Sequence, residues 1–350
     1  MRRLVLRAAV PVAALMSLAL VACGSSSSSS SAASGSGGAT AAAVSISIIN
    51  YPGSDASWLA YIAQQQGFFK SSNLNVSFVS LQAGPQAMAA LVGGSADIGV
   101  LDTDNMAPLL AKGQKYTLLI NTVKNFWAVV GSKSLAGKSL AQVVQALKGQ
   151  SVSAPSVGGT GGRQLDAIFS AYGLSGSSVK IVADPTNVSL TAGRVQAAMT
   201  DTIGACRLTT LGYPELMNFV NPPAATSSYP AGVQSLIGLP GLGYWAKSSW
   251  ATANPTAVSR FQKAIEQATA WAKNPANAKA EDTLLRNSPF NLATMTDSQW
   301  ATCVSRVTAA FSNSYTAADA ATWQKFVSSQ GIAGALPPSS QWLAAGIPQS

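Results

Sequence analysis

Apolar positions along this chain follow two alternating rhythms. Ile46, Ile48 and Ile49 mark Val44–Tyr51, Val76, Phe78 and Leu81 mark Asn75–Leu81, and Ile98–Leu101 is a short apolar run that ends at Asp102. Each predicts a strand. Between the first two, Pro52-Gly53 turns the chain and Ser54 or Asp55 caps a helix on which Trp58, Leu59, Ile62 and Ala63 share a face as far as Gly67. Between the next two, Gly84-Pro85 opens a helix with Met88, Leu91 and Val92 on one side, and Gly93-Gly94 stops it. Met106–Ala111 then predicts a helix and Tyr116–Val123 a strand.

A strand joined to its neighbour through a short helix implies a right-handed crossover and a parallel sheet, with ligands at the carboxyl ends of the strands. Those ends are Gly84-Pro85-Gln86 and Asp102-Thr103-Asp104-Asn105. Around Asn125-Phe126-Trp127 the chain changes lobe and the alternation repeats. Ala128–Gly131, Val152–Ala154, Val179–Val182 and Ala197–Thr200 are its strands, with Ser139–Leu147 and Gln164–Tyr172 as helices. Leu239–Ser248 predicts a strand returning toward the first lobe. Asn254-Pro255 starts a long helix carrying Val258, Phe261, Ile265, Ala268 and Trp271 on one side. The expected organisation is an α/β fold of two lobes, each a mainly parallel sheet flanked by helices, with 44–125 and 249–350 in lobe one and 126–248 in lobe two.

The N-terminus adds an address. Arg2, Arg3 and Arg7 precede an apolar stretch from Ala8 to Val21, which is short and ends in small residues, so residues 1–22 read as a secretory leader rather than a span. Leu20-Val21-Ala22-Cys23 resembles the bacterial lipobox and predicts lipid attachment at Cys23, with Arg2-Arg3 leaving twin-arginine export open beside the general route. Residues 23–43 are rich in Ser, Gly and Ala, a flexible tether. The expectation is a body anchored at the extracytoplasmic face of the cell membrane.

Composition narrows the chemistry. The net charge of +9 includes the three leader arginines, and no basic run carries interleaved aromatics, so nucleic-acid binding finds no support. Histidine is absent, which removes His-dependent triads, His-ligated metals and the commonest general base. The three cysteines, Cys23, Cys206 and Cys303, have no metal-ligand spacing. Cys206 and Cys303 could form a disulfide in an oxidising envelope, but nothing in the sequence brings them together, and two buried thiols are the favoured expectation.

Two strand-to-helix turns hold the candidate site. Tyr51, Ser54, Asp55 and Trp58 sit at the first, where the two aromatics could equally be core. Ser156-Val157-Gly158-Gly159-Thr160-Gly161-Gly162-Arg163 forms the second, a glycine-rich turn whose N–H groups and helix N-terminus could receive an anion. It is neither a Walker loop nor a good dinucleotide fingerprint. Asp102 and Asp104 are better placed to cap than to catalyse, with Asp104 free to offer an acceptor to a cleft.

Gly67, Phe68, Phe69 and Lys70, followed by Ala90, Leu91, Gly94, Asp97, Ile98 and Gly99, resemble the first lobe of the nitrate/sulfonate/taurine and thiamine-precursor group of ABC-transporter substrate-binding proteins. Gly193-Arg194-Val195-Gln196-Ala197-Ala198 resembles a later motif of the group, with Gln196 in place of its usual Asp. The resemblance implies the two-lobe periplasmic-binding-protein fold of type II, capture of a small molecule, delivery to an ABC permease and ATPase, no cofactor and a monomer. It also places Asp201 toward the ligand. With the turns above, the expected contacts are Tyr51 and Trp58 for a flat part. Ser54, Asp55, Gly84, Gln86, Thr103 and Asp104 set orientation, and Ser156, Gly159, Thr160, Gly161 and Arg163 hold an anionic or strongly polar end. The rivals are a ligand-sensing lipoprotein without a transporter and an enzyme like the thiamine-pyrimidine synthases.

Overall fold

The computed structural model describes residues 42–289, 295–329 and 336–348. The leader, the lipobox with Cys23 and nearly all of the tether lie outside the described residues. Among the described residues, ten strands form two five-stranded sheets. The first contains β1 (Val44–Asn50), β2 (Leu74–Ser80), β3 (Ile98–Asp102), β4 (Tyr116–Lys124) and β10 (Pro240–Lys247), in the order β2-β1-β3-β10-β4. The second contains β5 (Ala128–Gly131), β6 (Ser151–Ala154), β7 (Lys180–Ala183), β8 (Ala197–Thr200) and β9 (Glu215–Asn218), in the order β7-β6-β8-β5-β9.

The two sheets share one plan. In each, three strands run parallel (β2-β1-β3 and β7-β6-β8), and a single strand runs against them and against the edge strand. That reversed strand arrives directly from the other sheet's edge strand, β5 from β4 and β10 from β9. The chain therefore crosses between sheets twice, at 125–127 and over 219–239. The returning strand expected at Leu239–Ser248 is β10, so the first sheet regains the chain at Pro240, ahead of the 248/249 boundary drawn from the sequence.

The helices used below are α1 (Trp58–Gln65), α2 (Gly84–Gly93), α3 (Thr103–Ala111), α4 (Thr160–Ala171), α5 (Thr202–Thr210), α6 (Pro255–Lys273), α7 (Ala278–Arg286), α8 (Asp297–Ala310) and α9 (Ala317–Ser329). Helix α2 has Pro85 in its first turn and ends at Gly94 in the left-handed conformation (φ 78°), a backbone geometry that glycine adopts without a Cβ clash. α6 and α9 pack on the first sheet, and α7 and α8 pack against α6. Trp58 meets Trp300 of α8 at 6.1 Å, and Trp245 of β10 meets Trp323 of α9 at 6.2 Å and Trp342 at 5.9 Å, all fully or almost fully buried. These rings supply much of the apolar area that holds the C-terminal helices down.

Two local expectations are corrected. The glycine-rich turn is shorter than expected, because α4 begins at Thr160 and takes Gly161 and Gly162 into its first turn. A Cβ at 162 would overlap the Val157 carbonyl, and one at 161 would press on Met199, Pro155 and Trp127, so these glycines allow close packing of backbone. Cys206 and Cys303 are not separate thiols. They form a disulfide, with Cα atoms 5.7 Å apart across 97 residues of sequence, because α5 of the second lobe packs against α8 of the first. That packing is tertiary and leaves no trace in local spacing.

Candidate functional site

A cavity of about 340 Å³ lies between the two sheets. The first sheet contributes the turn after β1 (Tyr51, Pro52, Gly53, Ser54), the start of α2 (Ala83, Gly84) and Asp102 at the end of β3. The second contributes Pro155, the loop Pro185–Val188, Thr200, Asp201, and Gly204 and Arg207 of α5. Phe126 and Trp127, from the crossing itself, form the wall between them, their rings 5.2 Å apart. Its walls are thus strand ends and the turns that follow them, where side chains from both lobes converge.

Asp102 faces this space as a buried carboxyl. It is only 8 % exposed, and Trp127 Nε1 donates to its Oδ1 at 3.0 Å. Burial raises its carboxyl to about 7, with the Asp104 carboxylate adding to the rise. The Trp127 and Thr160 donors and the Arg163 charge oppose it. Asp201 caps α5 by accepting from Gly204 N at 2.9 Å. Next to it Asp55, from the first lobe, accepts from Ile203 N at 3.2 Å. Burial, and then the charge of Asp201 and a side-chain hydrogen bond shared with it, push the Asp55 carboxyl well above the usual carboxylate range. The Asp55 bond to Ile203 N joins the lobes here. Arg207 donates to the Thr186 carbonyl at 2.8 Å, and its Nε is buried without a partner.

A second set of contacts lies beside the cavity. Thr160 Oγ1 donates to Asp104 Oδ1 at 2.6 Å, Arg163 Nη2 donates to Asn105 Oδ1 at 2.7 Å, and Arg163 approaches Asp104 Oδ2 at 3.2 Å. Its Nη1 donates to Gly158 O at 2.7 Å. Asp104 is 1 % exposed, so its charge depends on this partner. Gly84 fits because a Cβ there would stand 2.8 Å from the Asn105 amide nitrogen.

A family model described as NMT1/THI5 like matches residues 57–278, more than half of the chain. The chain belongs to that family. Among solved structures, the alkanesulfonate-binding protein SsuA from Xanthomonas axonopodis pv. citri, bound to MOPS, is similar at TM-score 0.66 and 18% identity, over 87% of this chain and 100% of that one. The periplasmic nitrate-binding protein NrtA from Synechocystis PCC 6803 aligns at TM-score 0.57 and 13% identity over 73% and 69%. A Candida albicans protein described as having the generic periplasmic binding protein fold aligns at 0.60 and 15%, over 83% and 90%. At these identities the likeness establishes the fold, a periplasmic-binding-protein fold of two α/β lobes. A comparison with curated protein sequences finds no match.

On this family frame the sequence-predicted residues separate into groups. Tyr51, Ser54, Gly84 and Asp201 line the cavity. Tyr51 spends its hydroxyl on Val100 O at 2.8 Å, which leaves the ring face. Asp55 stands behind the wall, at the junction of the lobes. Asp104, Thr160 and Arg163 bind one another, and Ser156, Gly159 and Gly161 shape the turn beside them rather than the cavity lining. Gln86 turns back to accept from Gln82 N at 3.1 Å. Thr103, fully buried, donates to the Pro240 carbonyl, and Trp58 is fully buried core. The residues missed are Phe126, Trp127, Asn187 and Arg207, together with Asp102 as a lining group. Asp102 was findable, since it is the last residue of a parallel strand, and two adjacent aromatics at the lobe crossing were a further signal. Nothing in the sequence singled out Asn187 or Arg207.

Proposed function

We propose that this chain is an extracytoplasmic solute-binding lipoprotein, anchored through Cys23, which closes its two lobes on a small polar organic molecule and presents it to an ABC importer. The observation that carries this reading is the cavity itself. It is lined from both sheets, at strand ends, with the chain crossing between sheets at its wall. A ligand that touches both lobes favours the closed arrangement by its differential affinity, and a permease can read the closed shape.

Tyr51, Ser54, Gly84 and Asp201 are the proposed contacts among the residues expected from sequence, joined by Asp102, Trp127 and Arg207. The glycine turn with Arg163 is read as a closure contact, since the Thr160 hydroxyl and Arg163 Nη1 and Nη2 are engaged by Asp104, Gly158 and Asn105. Binding is favoured over catalysis because histidine is absent and Cys206 and Cys303 are tied in a disulfide.

Two measurements test the proposal. Cells carrying Cys23→Ala should release the protein from the membrane fraction, and retention there would remove the anchor from the reading. A thermal-shift screen of the purified body against small solutes should give a binder whose uptake by cells depends on the protein. A binder that the protein converts into product would instead favour the enzyme.

A further inference from the structure

We propose that the cavity selects a solute bearing a protonated nitrogen, an alkylammonium or similar N–H cation, and that Asp102 receives that charge. The inference rests on the solute-binding reading above and names the class of solute.

Asp102 lines the cavity while more than nine-tenths buried. One oxygen is held by Trp127 Nε1; the Thr160 hydroxyl, close to the carboxyl, gives its hydrogen bond to Asp104 Oδ1, and no other donor bonds Asp102 among the described residues. A buried carboxylate with a vacant oxygen calls for a donor, and a charged donor compensates it best. The cations nearby are committed elsewhere. Arg163 directs its hydrogen bonds to Asn105 and Gly158 and pairs with Asp104, and Arg207 bonds the Thr186 carbonyl close to Asp201 and Asp184. Four aspartates, 55, 102, 104 and 201, gather at this junction against these two arginines.

A second vacancy of the same kind comes from the other lobe. Asn187 lines the cavity at 4 % exposure, its Nδ2 donates to Thr200 Oγ1 at 2.9 Å, and its Oδ1 has no partner. Cavity-lining residues with an unpartnered acceptor thus come from both lobes. The remaining lining is largely aromatic and apolar, with the Tyr51, Phe126 and Trp127 rings beside Asp102. Aromatic faces next to a carboxylate attract an ammonium head and cover its apolar stem. Arg207 also lines the cavity, so a solute that carries an acceptor beside its cation, a zwitterion, is compatible with the site.

The test uses matched probes, butylamine, 4-aminobutanoate, butane-1-sulfonate and butanol, by calorimetry on the folded parent and on Asp102→Asn. Butylamine or 4-aminobutanoate should bind the parent more tightly than the sulfonate or the alcohol. Asp102→Asn should weaken that binding about tenfold to a hundredfold, the worth of a charge-assisted bond. Because Asn keeps the shape and the Trp127 acceptor, retained amine affinity in this variant overturns the inference. A pH series on the parent reads the same point without substitution. Amine affinity should rise from about pH 6 to 8 as Asp102 ionises among Asp104, Arg163, Tyr51, Trp127 and Thr160. A flat or falling profile is contrary. If the sulfonate or another solute lacking an N–H cation binds best, the class is wrong and solute binding stands. If no solute of any charge binds, both fall together.

Discussion

Two of the places where the lobes of this protein touch beside the cavity are built from opposite kinds of chemistry. Where α5 meets α8, a covalent bridge holds Cys206 to Cys303 and Arg306 reaches Glu215 at 2.5 Å. Where α3 meets α4, Asp104 and Asn105 hold Thr160 and Arg163 by hydrogen bonds and an ion pair. The first contact cannot separate, since the bridge keeps its Cα atoms 5.7 Å apart. The second can, at the cost of a few charge-assisted bonds that water replaces. On the proposed solute-binding reading, the expectation is a cavity that opens at the polar contact and pivots near the bridge. The helix fixed by the bridge carries Arg207 and is capped by Asp201, so this wall is expected to stay in register while the other moves.

The sharpest way to break this contrast is to remove the bridge. Cys206→Ser with Cys303→Ser should lower unfolding stability by about 2–5 kcal/mol, the range for a native bridge closing a long loop. Denaturant titration checks it. X-ray scattering of the ligand-free double variant should also show a larger radius of gyration than the parent. An unchanged radius would mean that the pivot lies elsewhere.

Next in size is the polar contact. Arg163→Ala leaves Asp104 buried beside an empty place, and should cost about 1–3 kcal/mol, because a hydrogen-bonded charge is lost and its partner stays desolvated. Solute affinity should fall with it, since the competent closed state becomes less populated. A matching loss of stability without loss of affinity would show that this contact holds the fold and not the closure.

Titration separates the two places again. The Asp102 carboxyl is raised to about 7, beside the polar contact, and Glu281 on α7, 2 % exposed and accepting from Thr308 at 2.7 Å, is also raised to about 7 by burial. A folded-state pKa above the unfolded value means that the native state keeps protons the unfolded chain has released. That stabilisation is complete below the ordinary carboxylate range and is lost as pH rises through about 7. The melting temperature should therefore fall between mildly acidic and mildly alkaline pH. Asp102→Asn and Glu281→Gln should each flatten part of the slope, and a saturating amine should remove only the Asp102 share.

How much of this was legible in the sequence follows from the range of each signal. β1 to β4 and their helices were readable because apolar periodicity and Gly/Pro punctuation are local, and the repeat after Trp127 announced the second lobe. The site was half legible. Tyr51, Ser54, Gly84 and Asp201 follow from one rule, that strand ends face the ligand. Arg163 looked like an anion receptor because a helix start, glycines and a fixed charge stood together. Its partner, Asp104, sits 59 residues away in the other lobe, so only tertiary packing shows that the charge is engaged. The disulfide was hidden for the same reason, its cysteines 97 positions apart in sequence with a helix on each side.

The smallest expected effect sharpens the comparison most, because it asks whether the bridge and its neighbouring ion pair are one device or two. Arg306 and Glu215 are each about one-quarter exposed in their side chains, and such a pair contributes about 0.5–1 kcal/mol. In the parent, Glu215→Gln should cost no more than that, because the bridge already holds α8 beside the second sheet whether or not the pair is made. In the double-serine variant the ion pair becomes a main tie at this contact, so the same substitution should weaken the variant more than the parent. A double-mutant cycle measures the difference, with coupling of about 0.5 kcal/mol or more expected for groups this close in the fold. Strict additivity would mean that the two ties act on separate motions, and the pivot would then belong to the disulfide alone.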